Sequence, residues 1–189
     1  MYSGLENWEE SFQEVITLHK VGIKGDTESV EKAYKLIKKI KLQVRDNALV
    51  DAYYGSITAL IARDHPNLIE KSKLAKKGLR SLDQSVQKDP NHIDIRKLRG
   101  YVCYRLPEMF FKRTHTAIED FTFLIDNYEQ NKNKGISREF YYQLLFDIGM
   151  AYRNIGNETK AVSMWDKLKK LSKDSKYLNL VKKAKGEGK

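Results

Sequence analysis

The stretch LLFDIGMAYRNIGNETKAVSMWDKL, residues 144–168, contains two helical patterns separated by a glycine turn. On both sides of Gly156 the apolar residues recur every three or four positions, which is the period of a helix with one buried face. Gly149 and Ala161 are small enough to let two antiparallel helices approach closely. Tyr152 and Trp165 are large enough to fill the space between one hairpin and the next. The stretch therefore predicts a tightly packed helical hairpin.

Three weaker copies of this pattern precede it, and they differ in the length of their turns. In the third copy, Gly100 and Ala117 take the two small positions, and the inserted segment RLPEMFFKR lengthens the turn between them. In the second copy Gly55 and Gly78 are further apart still, which predicts extended helices or a longer loop around Pro66. The predicted hairpins cover residues 5–45, 47–90 and 92–130, and the best repeat covers 142–175.

The predicted helices are separated by glycine, proline and asparagine, which end or interrupt helices. These breaks fall at residues 25–26, 64–67, 89–91, 107, 131–135 and 156–157. A lysine-rich helix from Ser175 is predicted to fray into the final residues, GEGK, so residues 175–189 form a C-terminal helix and tail. Eight or nine helices with short connections leave no room for a sheet, and the predicted fold class is all-α.

Residues 142–175 resemble the tetratricopeptide repeat (TPR), and the earlier hairpins resemble it more loosely. The residues that carry the resemblance are Leu145, Ile148, Gly149, Tyr152, Gly156, Ala161, Trp165 and Leu168. The resemblance implies one TPR-like domain over residues 1–189, an α-α superhelix of about four antiparallel hairpins, either regular or compacted into an irregular bundle. An ordinary helical bundle with glycines and aromatics at these spacings is the alternative.

The composition places the chain among folded proteins rather than disordered ones. Hydrophobic residues make up 41% of the 189 residues, enough apolar surface to offset the entropy of ordering the chain. The N-terminus, MYSGLENWEE, is acidic where a signal peptide would be basic and then apolar. No apolar run is long enough to cross a membrane. We therefore expect a cytoplasmic protein.

The resemblance also implies a binding function, because TPR proteins present the first helix of each hairpin to a concave groove that holds a peptide or a partner helix. Around Gly55 the corresponding positions are small and apolar: Ala52, Ser56, Ala59 and Leu60. Around Gly100 and Gly149 they are aromatic or polar: Lys97, Tyr101, Tyr104, Arg105, Gln143, Phe146, Met150, Arg153 and Asn154. We call this last set the nine predicted groove positions.

Tyrosine and arginine dominate binding hot spots, so the nine predicted groove positions favour an acidic or aromatic-containing peptide partner. The alternative is that Tyr101, Tyr104 and Phe146 belong to the packed core. The resemblance thus predicts a non-enzymatic scaffold that binds a protein or peptide.

A net charge of +10 raises a second hypothesis, an accessory protein that binds nucleic acid or another anionic assembly. The cationic residues form three clusters on predicted second helices: Lys35, Lys38, Lys39 and Lys41; Lys71, Lys73, Lys76, Lys77 and Arg80; and Lys167, Lys169, Lys170 and Lys173. Nucleic-acid binders usually mix arginine and aromatic residues among the lysines. Because these clusters are mostly lysine, the sequence favours a solvated convex surface.

Catalytic and metal-binding patterns are absent from the sequence. The four histidines are widely scattered, and none has a second histidine or cysteine three or four residues away. Cys103, the only cysteine, lies in an apolar helix and is predicted to be a buried structural thiol. No phosphate-binding glycine loop or nucleophile elbow occurs. We therefore expect no enzyme activity, no cofactor and no metal.

Overall fold

The structure, a computed structural model, describes residues 7–130 and 135–186. These residues form ten helices and no strand, which confirms the predicted all-α class. The helices are α1 (Trp8–Gly22), α2 (Thr27–Gln43), α3 (Ala48–Asp64), α4 (Leu68–Lys88), α5 (Ile93–Arg105), α6 (Glu108–Phe111), α7 (Thr114–Glu129), α8 (Arg138–Asn154), α9 (Glu158–Leu171) and α10 (Ser175–Lys185).

Polar side chains cap the first turns of most of these helices. Asn47 accepts hydrogen bonds from the backbone N–H groups of Leu49 and Val50, and Asn157 accepts one from Lys160. Such caps satisfy N–H groups that have no partner within the first helical turn. The helix ends therefore follow from local sequence, and they agree with the predicted breaks to within a few residues.

One helix was not predicted. The inserted segment RLPEMFFKR forms the single turn α6, which begins after Pro107 and ends at Lys112 in the left-handed conformation (φ 52°). The Glu108 carboxylate closes this turn by accepting hydrogen bonds from the N–H and the hydroxyl of Thr114, at 2.8 and 2.6 Å. The turn leaves Met109 and Phe110 largely exposed.

Some predictions fall on residues outside the described part of the chain. They concern Leu5 at the start of the first predicted helix, the loop residues 131–134 and the final residues 187–189. No described helix has the length and apolar composition that a membrane span needs. The prediction of a cytoplasmic location stays a prediction.

The chain forms two compact units, residues 1–102 and 103–189, and the single domain over 1–189 stays a prediction. In the first unit α1 packs on α2, α2 on α3, and α3 on α4. The core of this unit includes aliphatic side chains with no exposed surface, among them Val15, Ile37, Ile57, Leu82 and Ile95. The predicted hairpins α1–α2 and α3–α4 are therefore present.

The tightest approach in the first unit joins α3 to α4. A Cβ on Gly55 would lie 2.8 Å from the carbonyl oxygen of Gly78, and a Cβ on Gly78 would lie 2.6 Å from the carbonyl oxygen of Gly55. Each glycine therefore makes room for the backbone of the other helix, as the sequence predicts for the small positions of a hairpin.

In the second unit α7 packs on α8, α8 on α9, and α10 on both α8 and α9. Its core includes Phe121, Leu144, Trp165 and Val181, which have no exposed surface. Cys103 is also buried, which confirms that prediction. The α8–α9 turn passes through Gly156 at a φ of +77°, a conformation that glycine adopts without strain.

Candidate functional site

The nine predicted groove positions all keep some exposed surface. Arg105 and Asn154 are exposed, and the other seven are half-buried. Lys97 and Tyr101 belong to the first unit, and the remaining seven positions belong to the second.

Arg153 is held by structural contacts at the end of α8. Its Nε and Nη2 donate to the two carboxylate oxygens of Glu158, at 3.0 and 2.7 Å. Its guanidinium lies 4.4 Å from the ring centroid of Trp165, and Nη1 donates to the carbonyl oxygen of Ala184 in α10. Arg153 therefore connects α8, α9 and α10. These contacts leave fewer of its N–H groups to donate hydrogen bonds to a partner.

Aromatic groove positions in the second unit also have packing partners. The ring of Tyr104 makes an edge-to-face contact with Phe121, with centroids 5.6 Å apart. Burial, with a smaller effect of the Asp147 carboxylate, raises the pKa of Tyr104 to about 12. The ring of Phe146 lies 6.3 Å from that of Trp165. These side chains thus contribute to packing as well as to the surface.

The polar end of this set lies along one face of α8, at Gln143, Met150 and Asn154. Gln143 Nε2 donates to the carboxylate Oδ1 of Asp147, at 3.0 Å, one helical turn along. Met150 is half-buried and Asn154 is exposed, so α8 offers both an apolar and an amide contact.

The predicted apolar end of the groove around Gly55 is wrong. Ala52, Ser56 and Leu60 are buried, because α1 packs over this part of α3. The Nε2 atom of His19 forms a 2.9 Å hydrogen bond with the hydroxyl of Ser56. Of the four positions, Ala59 alone is half-buried rather than buried.

An open groove lies instead at the starts of α1 and α3, within the first unit. We call it the α1–α3 groove, and its volume is about 680 Å³, within the size range of ligand-binding clefts. The residues that line it are Trp8, Glu9, Phe12, Gln13, Ile16, Asp46, Asn47, Ala48, Leu49, Asp89, His92 and Asp94.

The floor of the α1–α3 groove is apolar and rigidly supported. Trp8, Phe12 and Ile16 follow one another at intervals of four residues on α1, and Leu49 faces them from α3. Phe12 is nearly buried and makes an edge-to-face contact with Tyr53, with centroids 5.3 Å apart. Trp8, Ile16 and Leu49 remain half-buried and present apolar surface to solvent.

The rim of the α1–α3 groove is acidic. Four carboxylates belong to it, and one of them, Asp46, pairs with Lys88 at 2.8 Å. The other three, Glu9, Asp89 and Asp94, make no ion pair with any described residue. This local negative charge contrasts with the net charge of +10 of the chain.

The rim carboxylates influence the tyrosine beneath the floor. Burial is the main cause that raises the pKa of Tyr53 to about 12, and the nearby Asp94 carboxylate adds to it. The Tyr53 hydroxyl therefore stays neutral near pH 7, and the negative charge of this region comes from the carboxylates alone.

The sequence analysis missed this groove. The four-residue spacing of Trp8, Phe12 and Ile16 is also the pattern of a buried helix face, and the acidic residues come from four separate segments of the chain. One feature of the sequence could have indicated this groove, namely that its acidic residues all lie at or near helix ends. Glu9 and Asp94 lie in the first turns of α1 and α5, and Asp46 and Asp89 lie just outside helix ends.

A second surface carries lysines around two tyrosines. The rings of Tyr34 on α2 and Tyr54 on α3 stack with centroids 6.0 Å apart. Lys38 lies 5.5 Å from the Tyr34 centroid, and Lys41 and Lys77 lie 4.9 and 5.5 Å from that of Tyr54. We call these five residues the lysine–tyrosine cluster.

The two tyrosines of this cluster differ in acidity. Burial raises the pKa of Tyr34, and its neighbour Tyr54 adds to the effect. Burial also acts on Tyr54, but Lys77 and Tyr34 outweigh it and hold the pKa of Tyr54 below its ordinary value. Lys41 is also paired with the Asp51 carboxylate, so Lys38 and Lys77 are the lysines of this cluster that contribute net positive charge next to the aromatic pair. This combination was not predicted from the sequence.

Within residues 7–130 and 135–186, no three His, Cys, Asp or Glu side chains come together as metal ligands would. The buried His19 bonds to Ser56 and contacts the ring of Tyr53, so its role there is structural.

Comparison with known proteins identifies the fold. No family model and no curated protein matches the chain. Two solved structures of MamA AMB-1, a TPR-like protein, are similar to it, and both have a TM-score of 0.50. The C2221 form is 16% identical over 84% of this chain and 78% of that chain, and the P212121 form is 19% identical over 88% and 78%. This likeness shows that the chain has an all-α, TPR-like fold.

Proposed function

We propose that this chain is a non-enzymatic scaffold that binds a protein partner through the α1–α3 groove. The single observation that carries the proposal is an open groove with an apolar floor, built on the starts of α1 and α3 in a TPR-like fold. Grooves lined by the first helices of successive hairpins are the surfaces on which such arrays hold peptides or helices.

The nine predicted groove positions form a second part of the proposal. The partial exposure of these positions supports contact with a partner. Met150 and Asn154 on α8 suit such contact best, because Arg153, Tyr104, Phe146 and Gln143 already make the packing contacts or hydrogen bonds described above. Tyr104 and Arg153 would contribute only the surface that their packing contacts leave uncovered.

The test of the groove compares two leucine variants in an affinity capture from the native cell. Leu49→Asp places a charge on the groove floor, and an aspartate in the first turn of α3 is compatible with the helix. Leu42→Asp is the matched control, because Leu42 is 75% exposed on α2 and does not line the groove. We expect partner recovery to be lost with Leu49→Asp and kept with Leu42→Asp, with unchanged circular dichroism for both.

Equal recovery of the partner with both variants would reject the groove. The same capture with Met150→Glu tests the α8 positions separately, because Met150 lies in the other unit.

The lysine–tyrosine cluster favours a second candidate function, binding to nucleic acid. Lysines next to stacked aromatic rings provide phosphate contacts and stacking surface together. We expect a single-stranded RNA probe to bind with an affinity that falls steeply between about 50 and about 200 mM salt. Lys38→Glu combined with Lys77→Glu is expected to weaken this binding. No binding of the probe at low salt would exclude this candidate.

A further inference from the structure

The α1–α3 groove has a chemistry that selects its ligand. We propose that it binds a segment of a partner protein that carries one or two large apolar side chains flanked by arginine or lysine. This inference rests on the proposed function, since it names the chemistry of the partner that the groove would hold.

The floor of the α1–α3 groove favours an apolar group in the ligand. Trp8 and Ile16 on α1 and Leu49 on α3 remain half-buried at the centre of a groove of about 680 Å³. Covering this surface with an apolar side chain is favourable, because it removes apolar area from water. An anchor of one or two leucine- or phenylalanine-sized side chains therefore suits this floor better than a polar segment.

The carboxylates of the rim favour positive charge in the ligand. Glu9, Asp89 and Asp94 surround the floor without an ion pair among the described residues, whereas the fourth carboxylate is already paired with Lys88. Guanidinium and ammonium groups next to the anchor would complement these carboxylates at close range. An acidic peptide or a nucleic-acid phosphate would meet three uncompensated negative charges there.

The net charge of +10 does not overrule this local preference. Charges further away than about 10 Å are largely screened at physiological salt, whereas the rim carboxylates would lie next to a bound cation. The groove is also largely preformed, because Asn47 caps α3 and Phe12 packs on Tyr53 beneath the floor. A ligand would therefore not have to order the site on binding.

The experiment uses the whole chain and three fluorescein-labelled peptides in an anisotropy titration. The first probe, RKLFKR, has a basic character and an apolar anchor, the second, EDLFED, reverses the charges, and the third, RKGSKR, lacks the anchor. We expect the first probe to bind at least about tenfold more tightly than either of the others, a difference that corresponds to about 1.4 kcal/mol.

The variant Asp89→Asn combined with Asp94→Asn removes two rim charges while it keeps side-chain size. It should weaken binding of RKLFKR by about five- to tenfold and reduce the salt dependence of that binding. The control Asp126→Asn combined with Glu139→Gln removes two exposed carboxylates on α7 and α8 of the other unit and should leave it unchanged.

Three outcomes would overturn the inference. If EDLFED bound more tightly than RKLFKR, the groove would prefer an acidic ligand. If RKGSKR bound as tightly as RKLFKR, the apolar floor would not contribute to binding. Wild-type self-association that the rim variant abolishes, measured by sedimentation, would make a second copy of the chain the occupant.

The proposed function can fail independently of this inference. If RKLFKR binds as expected but Leu49→Asp leaves partner recovery unchanged, the groove chemistry stands and the partner docks elsewhere. If Leu49→Asp abolishes recovery but no probe binds, the groove is the docking site and its ligand chemistry is different from that proposed.

Discussion

Gly149 and Trp165 are in direct contact across the α8–α9 hairpin, and a Cβ on Gly149 would lie 2.7 Å from both Cδ1 and Cε2 of the indole. The indole Nε1 donates a hydrogen bond of 3.1 Å to the carbonyl oxygen of Phe146, and the side chain of Trp165 has no exposed surface. The ring therefore cannot move aside without the loss of this bond and of its packing.

The first prediction concerns this contact. Alanine normally stabilises a helix interior by up to about 1 kcal/mol relative to glycine, but a clash with a fixed indole outweighs this gain. We expect Gly149→Ala to lower the free energy of unfolding by about 1–3 kcal/mol in urea denaturation. Asn154→Ala, at an exposed position of the same helix, is the control and should change it little. If Gly149→Ala were more stable than wild type, the Trp165 ring would have to move and make room for the added methyl group.

The second prediction concerns the close approach of α3 and α4. The atoms that a Cβ on Gly78 would meet are the carbonyl oxygen of Gly55 and the backbone nitrogen of Ala59, at 2.6 and 3.1 Å. Because backbone atoms cannot rotate away, the two helices must separate. We expect Gly78→Ala to lower the free energy of unfolding by about 2–3 kcal/mol. Gln84→Ala, exposed on α4, is the control, and a loss no larger than that of the control would contradict this packing.

The third prediction concerns the pH dependence of stability. Burial raises the pKa of Asp51, but hydrogen bonds from Lys41 and Lys88 outweigh it and leave this pKa below its ordinary value of 3.8. The ionised form is therefore favoured in the folded state. Its contribution is complete above the ordinary pKa and is lost as the pH falls through the lower, folded-state pKa.

The measurement is urea denaturation of Asp51→Asn between pH 7 and pH 2. At pH 7 we expect a loss of about 1 kcal/mol relative to wild type, because two charge-assisted hydrogen bonds are weakened. Below pH 3.8 the two proteins should converge as wild-type Asp51 becomes protonated. Asp126→Asn removes an exposed carboxylate and should follow wild type throughout. A difference that does not depend on pH would reject the charge-based explanation.

The fourth prediction concerns the docking of α10. Arg153 bonds to Glu158 and to the carbonyl oxygen of Ala184, and it stacks on Trp165. Its removal should lower the free energy of unfolding by about 1–2 kcal/mol. It should also speed hydrogen exchange in α10. Arg153→Lys should be intermediate, because lysine keeps the charge without the planar fork.

Arg138→Ala, at the exposed first residue of α8, is the control for α10 docking. Unchanged exchange in α10 with Arg153→Ala would show that the other contacts are enough to hold this helix: the buried Val181, the Lys185–Asp166 ion pair and the hydroxyl bond of Tyr177 to the carbonyl oxygen of Glu139. The same result bears on function, because a binding defect in Arg153→Ala has to be separated from a loosened α10.

The sequence predicted the α1–α2, α3–α4 and α8–α9 hairpins well but their surfaces poorly. Gly55 and Gly78 were identified as close-packing positions, and the structure places them against each other's backbone. Ser56, only one residue away, was assigned to an open groove but is covered by His19 of α1. A small residue in a helix indicates that another element approaches closely at that position. The local sequence does not show which element this is, because the partner lies far away along the chain.

Local sequence by itself determined where the helices begin and end, because helical periodicity, capping side chains and breaks such as Gly156 act within one or two turns. It also determined the α8–α9 hairpin, whose two halves are separated by a single short turn. Trp165, however, was predicted to fill the space between hairpins, and it packs on Gly149 within this one instead. Tertiary packing alone decided where apolar surface stays open. Glu9, Asp46, Asp89 and Asp94 meet around one groove only because α1, α3 and the α4–α5 turn pack together, and no pattern within one helix records that neighbourhood.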